Sequence, residues 1–259
     1  MAATSKLNEV IRRLSSNDST LTDLHLNWSF EGARQLAGAL GTNSSLSTLD
    51  LSNNEMGDEG TCRLAEALTV NSALTTLHLT FNKIGDEGAG WLAKVLVINS
   101  TLTALSLYNN NIGAAGTGRL EEALAINSTL IDLDLGGNYI EDEGADRLAE
   151  ALSINSTLTT LDLRSNQVGD EGAGRLAEAL AINCSLTTLD LRYNPSLTSL
   201  ILNWDYNITP LVAAYLDRNK GNLEKKSSSL FLMLLPLLSQ ENAAISPAFE
   251  DHEPPSSFC

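Results

Sequence analysis

The sequence predicts an α/β solenoid of about seven strand–helix units stacked into a horseshoe, with a parallel sheet on the concave face and helices on the convex face. Three observations carry that prediction. A string of the type L-T-T-L-D-L recurs with central leucines at Leu49, Leu77, Leu105, Leu133, Leu161 and Leu189, each 28 residues after the last. Every copy is followed by a loop and then by apolar residues at helical period. Finally, 43% of the residues are hydrophobic but only 5% are aromatic, a composition suited to regular leucine layers. Self-similarity at a period of roughly 20–50 residues marks stacked architectures.

The strand comes first in each unit. In Leu158-Thr-Thr-Leu161-Asp-Leu163, alternation puts the leucines on one face and Thr160 and Asp162 on the other, as in a half-buried strand. The loop Arg164 to Gly169 follows. Then Asp170 to Leu180 reads as a helix, with Leu176, Ala177 and Leu180 on one face and Ala173 a turn earlier. Asn183 ends the unit, and Asn tolerates the left-handed backbone that closes helices, so it is expected as a C-cap. An earlier copy, Leu21 to Leu26, precedes Leu49 at a spacing of 25 residues and has a shorter loop. One unit cannot bury its own apolar face, whereas stacked units bury a continuous layer. Strands stack about 4.8 Å apart and helices about 10 Å apart, so strands inside and helices outside must bend the stack.

The pattern Leu77-x-Leu79-x-x-Asn82-x-Ile84-Gly85 and its copies, over roughly Leu21 to Asn194, resembles the ribonuclease-inhibitor-like class of leucine-rich repeats. That resemblance implies the horseshoe and a binding role. Ribonuclease inhibitors, Ran GTPase-activating proteins and the sensor regions of NOD-like receptors share the class. It therefore leaves two alternatives beside a binding scaffold: a GTPase-activating regulator of a Ran-type small GTPase, and a sensor-type fragment of a NOD-like receptor.

The ends depart from the template. Ser5 to Leu14 reads as a capping helix with Leu7, Val10, Ile11 and Leu14 inward. Residues 1–220 are expected to form the repeat domain, including a short closing strand at Leu197 to Leu202 and a last helix from Thr209-Pro210 to Lys220. Residues 221–240, with the apolar run Leu230 to Leu238, are expected to cap the last repeat, and 241–259 to form a disordered tail.

Six asparagines, Asn54, Asn82, Asn110, Asn138, Asn166 and Asn194, stand at one loop position. An amide offers both donor and acceptor to backbone groups in a buried turn, so a structural ladder is expected there. The acidic pairs Asp58-Glu59, Asp86-Glu87, Asp142-Glu143 and Asp170-Glu171 lack the spacing of a calcium loop. At a helix start they read as an N-cap and a dipole complement for their own helix. Unit four has Ala114-Ala115 instead.

The candidate binding surface is the concave face. Its central row includes His78, Asp134, Asp162 and Asp190, and Tyr108, Arg164 and Arg192 lie just after the strands. Trp28, Phe81 and Tyr193 belong to the row beyond. Large aromatics on an exposed strand face serve no folding purpose, and aromatics with Arg carry interface energy.

A formal net charge of −16 and a pI of about 4.4 exclude nucleic acid and anionic lipid as natural ligands, and favour a protein partner with a basic patch. No catalytic, metal or cofactor motif stands out. The histidines are too far apart to share an ion, and the three cysteines are too widely spaced for a zinc knuckle. The N-terminus has no apolar signal region, and the longest apolar run is too short to span a bilayer. The expectation is a cytoplasmic monomer that binds a protein and carries out no chemistry.

Overall fold

A computed structural model describes residues 2–26 and 36–197. Seven three-residue strands form one parallel sheet in chain order: β1 (Asp23–His25), β2 (Thr48–Asp50), β3 (Thr76–His78), β4 (Ala104–Ser106), β5 (Asp132–Asp134), β6 (Thr160–Asp162) and β7 (Thr188–Asp190). The helices are α1 (Ala2–Ser15), α2 (Gly57–Leu68), α3 (Asp86–Ile98), α4 (Ala114–Leu124), α5 (Glu141–Ile154) and α6 (Asp170–Ile182), and residues 36–40 are also helical. Consecutive helices from α2 to α6 pack on one another, so the chain is a solenoid with alternating strands and helices. The closing strand beyond Leu197, the 209–220 helix, the capping segment 221–240, the tail 241–259 and Trp28 lie outside the described residues.

Register follows from the repeat. Leu24, Leu49, Leu77, Leu105, Leu133, Leu161 and Leu189 pair side by side across all seven strands. A slip of one residue would turn these leucines out of the core. Each unit adds the same layer. In the sixth, Leu158, Leu161, Leu163, Val168, Leu176 and Leu180 are essentially inaccessible. The first layer is closed by α1, where Leu14 is fully buried and Val10 and Ile11 pack against the core.

Two asparagine ladders stitch the layers together. The first runs through the predicted loop position. Asn138 Nδ2 donates to the carbonyls of Leu107 in the preceding unit and Leu135 in its own, at 3.0 and 2.8 Å. Its Oδ1 accepts from Ile112 N at 3.1 Å. Asn82 and Asn194 likewise accept from two backbone amides of the unit before them. All six residues are buried.

The second ladder is Asn43, Asn71, Asn99, Asn127, Asn155 and Asn183. Asn183 is a C-cap position, but its backbone is extended (φ −72°, ψ 131°), so the left-handed closure expected there does not form. The side chain acts instead. Its Nδ2 donates to the carbonyls of Leu152 and Asn155 in the unit before, and its Oδ1 accepts from Ser185 N and Leu186 N. This ladder ties off the open carbonyls of the neighbouring helix terminus. The sequon asparagines Asn43, Asn99, Asn127, Asn155 and Asn183 belong to it. Their amides are buried and hydrogen-bonded, so the fold occupies the group that a glycan would need.

The acidic pairs also act between units. None of the Asp residues caps its own helix. Asp58 Oδ1 accepts from Gly85 N and Gly88 N of the next helix, at 2.7 and 2.9 Å. Asp86 does the same for Gly113 and Gly116, and Asp142 for Gly169 and Gly172. Each carboxylate therefore caps the helix of the following unit.

Where this carboxylate is missing, the next helix starts differently. Gly85, Gly113 and Gly169 are extended N-caps. Ala114 cannot cap α5, which instead starts behind a helical Ile140 with Glu141 left-handed at φ +59°. Phe30 stands at the corresponding place before α2, and there Gly57 is left-handed at φ +56°. A glutamate in that conformation carries a steric cost that glycine does not.

Two stability predictions follow from these bonds. Asn138→Ala orphans several buried backbone groups and should cost about 3 kcal/mol. Asp142→Ala removes a cap from the rim of α6 and should cost about 1–2 kcal/mol. Chemical denaturation that ranked Asp142→Ala as the more damaging would contradict this division of labour. Second, Ala114→Asp combined with Glu141→Gly restores the template at α5. The pair should stabilise by more than the sum of the single changes, because the new carboxylate needs the extended glycine to reach its amides. A double-mutant cycle on unfolding midpoints reads that coupling, and additivity would show that the two positions are independent.

Candidate functional site: the concave face

The side chains flanking the central leucine of each strand point into the concave face. Adjacent parallel strands place like positions about 4.8 Å apart, so the face is a set of rows running across the units. The row just after the strands brings Tyr108, Gly136 and Arg164 side by side. The Arg164 guanidinium stacks over the Tyr108 ring, 4.9 Å from its centroid. Gly136 makes this possible: a Cβ there would lie 2.9 Å from Tyr108 Cδ2 and 3.0 Å from Arg164 Cγ. On its other side Tyr108 meets Phe81 edge-on, with centroids 5.9 Å apart and ring planes at 80°. The result is a continuous Phe81–Tyr108–Arg164 strip across four units.

Phe81 is 45% exposed, and its backbone is left-handed at φ +55°. Asn53, Asn109, Gly137 and Ser165 share both that position in the repeat and that conformation, as does Tyr193 at φ +59°. Small and amide residues tolerate this backbone, whereas bulky aromatics are uncommon in it. The template thus favours Asn or Gly, and Phe81 and Tyr193 are kept against a local cost. Tyr193 is 69% exposed but lies four strands from Phe81, about 19 Å at the strand spacing, so it is not part of the strip.

The central row is acidic. Asp134 accepts from Ser106 Oγ and Gly136 N, at 3.0 Å each. Asp162 Oδ1 accepts from Arg164 N at 2.9 Å, and Arg164 Nε lies 3.0 Å from its Oδ2 without the alignment of a hydrogen bond. Burial is the main force on this carboxyl and, with repulsion from Asp134 and Asp190, pushes it up to about 6, against the attraction of Arg164. Asp190 is also half-buried, but hydrogen bonds and charge from Arg192 outweigh the burial and hold it below the ordinary range. Arg192 is thus committed to Asp190, and Arg164 to Asp162 and the tyrosine ring. His78 lines an open groove of about 340 Å³ with Ser106, Asp132, Asp134, Thr160 and Asp162.

Asp132 was not among the residues expected from sequence. It stands on the other side of the central leucine, and its carboxyl is raised by desolvation in the groove and by Asp134. Alternation alone gives the signal for it, since both neighbours of that leucine face the same way. A second shallow hollow of about 320 Å³ lies beside the ring of Phe81, between Glu55, Lys83 and Asn111. Lys83 Nζ is paired with Glu55 at 2.8 Å. No group of three or more metal-ligating side chains occurs among the described residues, and no described helix is long and apolar enough to cross a membrane.

Comparison with known proteins places this geometry. The TMOD/LMOD leucine-rich domain model matches residues 4–118, and a leucine-rich-repeat model matches residues 127–149, 155–177 and 183–202. No curated protein matches the chain significantly. Solved structures with similarity include leiomodin-1 actin-binding site 2, 19% identical over 91% of this chain and 96% of that one, with a TM-score of 0.43. The Caenorhabditis elegans tropomodulin C-terminal domain is 13% identical over 89% of this chain and 98% of that one, with a TM-score of 0.36. Pollen receptor kinase 3 is 19% identical over 64% and 70% respectively, with a TM-score of 0.37. With the repeat register, the single parallel sheet and the family models in agreement, the chain is a leucine-rich-repeat protein.

Proposed function

We propose that the protein is a non-enzymatic binding module that takes a protein partner with a basic patch on its concave face. The observation that carries this is the Phe81–Tyr108–Arg164 strip. Its rings are held in fixed geometry and remain partly open to solvent, and Phe81 stands where the repeat otherwise uses small or amide residues. Rigid aromatics displace much water at little entropy cost, so they suit the centre of an interface. The aspartates beside them supply the charge complement to a basic partner. The chain's surplus of negative charge would steer such a partner inward.

The test is binding kinetics at two salt concentrations, with a partner recovered by affinity capture. Actin is the first candidate to try, since the solved leiomodin-1 fragment carries an actin-binding site in its title. Tyr108→Ala and Phe81→Ala should each raise the dissociation rate about tenfold. Asp132→Asn should mainly slow association, and the difference should shrink at high salt. A partner that ignores Phe81 and Tyr108 but is lost on mutating Glu122 and Glu150 would move the site to the convex helices.

Asp162 gives a pH signature. Its carboxyl is raised to about 6 in the fold, against 3.8 ordinarily, so the folded protein holds that proton more tightly than the unfolded chain does. The ionised form therefore weakens the fold above about pH 6, and this penalty is relieved as the pH falls from there toward 3.8. Binding of a basic partner runs the opposite way and should weaken over the same window as the charge is lost. Carbon-13 titration of the side chain should show a midpoint near 6, and Asp162→Asn should abolish this contribution to both curves. A midpoint at the ordinary aspartate value would mean that Arg164 outweighs burial.

A further inference from the structure

The repeat supplies an internal control for the convex face, because outward positions of successive helices meet the same packing demands. In α2, α5 and α6 two such positions hold an ion pair one turn apart: Arg63–Glu66 at 3.2 Å, Arg147–Glu150 at 3.6 Å and Arg175–Glu178 at 3.2 Å. α4 carries Arg119 and Glu122 at the same places. α3 alone among these helices departs, with Trp91 and Lys94, whose Nζ lies 3.8 Å from the ring centroid. Three residues further on, Val97 is 48% exposed where the other helices have Thr69, Ala125, Ser153 and Ala181. Arg119 leans the same way: its Nη1 donates to the Asp86 carbonyl, and its side chain covers Gly90, next to Trp91.

Beside this cluster runs an aliphatic ridge formed by one exposed residue at the C-terminal end of each helical segment: Val70, Ile98, Ile126, Ile154 and Ile182, all at least half exposed. Trp91 and Ile98 lie seven residues apart and so share one face of α3. The outward face of α3 thus joins a tryptophan, a lysine, a leaning arginine and an apolar ridge. Folding requires none of these outward substitutions, because the neighbouring units manage with an ion pair.

We propose that this face of α3 is a second docking surface, distinct from the concave strip, for an apolar segment of a partner protein that carries acidic side chains. Charge decides the occupant. The chain as a whole bears −16 and repels an acidic segment, but Lys94 and Arg119 make a cationic spot beside exposed apolar area. Trp91 and the ridge bury the apolar side of the segment, while Lys94 and Arg119 meet its carboxylates. A second copy of this chain docked symmetrically would set Lys94 against Lys94, which argues against self-association through this face.

The probe is a labelled synthetic amphipathic helix with leucines at i, i+3, i+4 and i+7 flanked by glutamates, compared with the same peptide bearing lysines. Fluorescence anisotropy on the full chain reads the affinity. The W91R/K94E variant restores the repeat's own ion pair and should keep the thermal transition unchanged. Trp91→Ala at the same exposed site is a second variant should the first fold poorly. The glutamate peptide should bind the wild type, the lysine peptide should not, and both variants should lose about tenfold or more in affinity. Phe81→Ala and Tyr108→Ala should leave this binding intact, which separates its failure from failure of the concave site. Equal binding of both peptides, no binding by the wild type, or undiminished binding by the variants would overturn the assignment. So would self-association that W91R/K94E abolishes, since the face would then belong to a second copy.

Discussion

Every unit of this chain leaves buried backbone groups that it cannot satisfy by itself, and the fold depends on a neighbouring unit supplying the missing partner. Asn82 Oδ1 serves amides of the unit before it, Asn183 Nδ2 serves carbonyls of the helix before it, and Asp142 Oδ1 serves amides of the helix after it. A buried unpaired polar group costs about 1–3 kcal/mol, so these bonds act as a length gauge. The amide and the carbonyl meet only if 28 residues separate equivalent atoms, which is why the repeat is constant while the helices vary from 11 to 14 residues. Leucine burial supplies most of the driving force but tolerates sliding, and the polar ladders do not.

Much of this was legible in the sequence because the repeat prints it several times over. Period-two leucines gave the strands and their register, and one loop asparagine per unit gave the first ladder. Two readings went astray for a common reason. Asn183 was assigned a left-handed closure and Asp142 an N-cap role, and both assignments looked for a partner within the same helix. Sequence proximity suggests local capping, whereas in a solenoid the neighbour 27 to 31 residues away is just as close in space. The conformation of Glu141 shows the other side of this. Nothing in its own segment predicts φ +59°, and the cause lies one unit upstream, where Ala114 replaces the capping aspartate.

The concave rows were legible by position but not by grouping. Arithmetic on the repeat put Phe81, Tyr108 and Arg164 on one face. It could not show that Gly136 clears the space for Arg164 to cross onto Tyr108, because that depends on side-chain reach between strands two units apart. Nor could it separate Tyr193, which belongs to the same row as Phe81 but sits at the far end of the described sheet. Asp162 and Asp190 hold equivalent positions, yet their carboxyls shift in opposite directions. The difference comes from Arg192, which grips Asp190 through its guanidinium, while Arg164 divides its contacts between Asp162 and the tyrosine ring.

Departures from the template fall into two physical kinds, and the distinction bears on where function sits. Ala114 and Glu141 break the pattern at a unit boundary, and the backbone absorbs the loss by starting α5 another way. Phe81, Gly136, Trp91 and Lys94 break it at positions that face solvent or the groove, where the stacking bonds are untouched. The first kind has a consequence inside the fold and is explained once that consequence is found. The second kind has none there: the ladders on either side of Phe81 keep their bonds, and α3 keeps its buried leucines beneath Trp91. Because the polar ladders alone fix the stacking, the outward residues are released from structural duty. An aromatic held in a disfavoured backbone conformation on such a surface therefore has to be accounted for by something outside the chain.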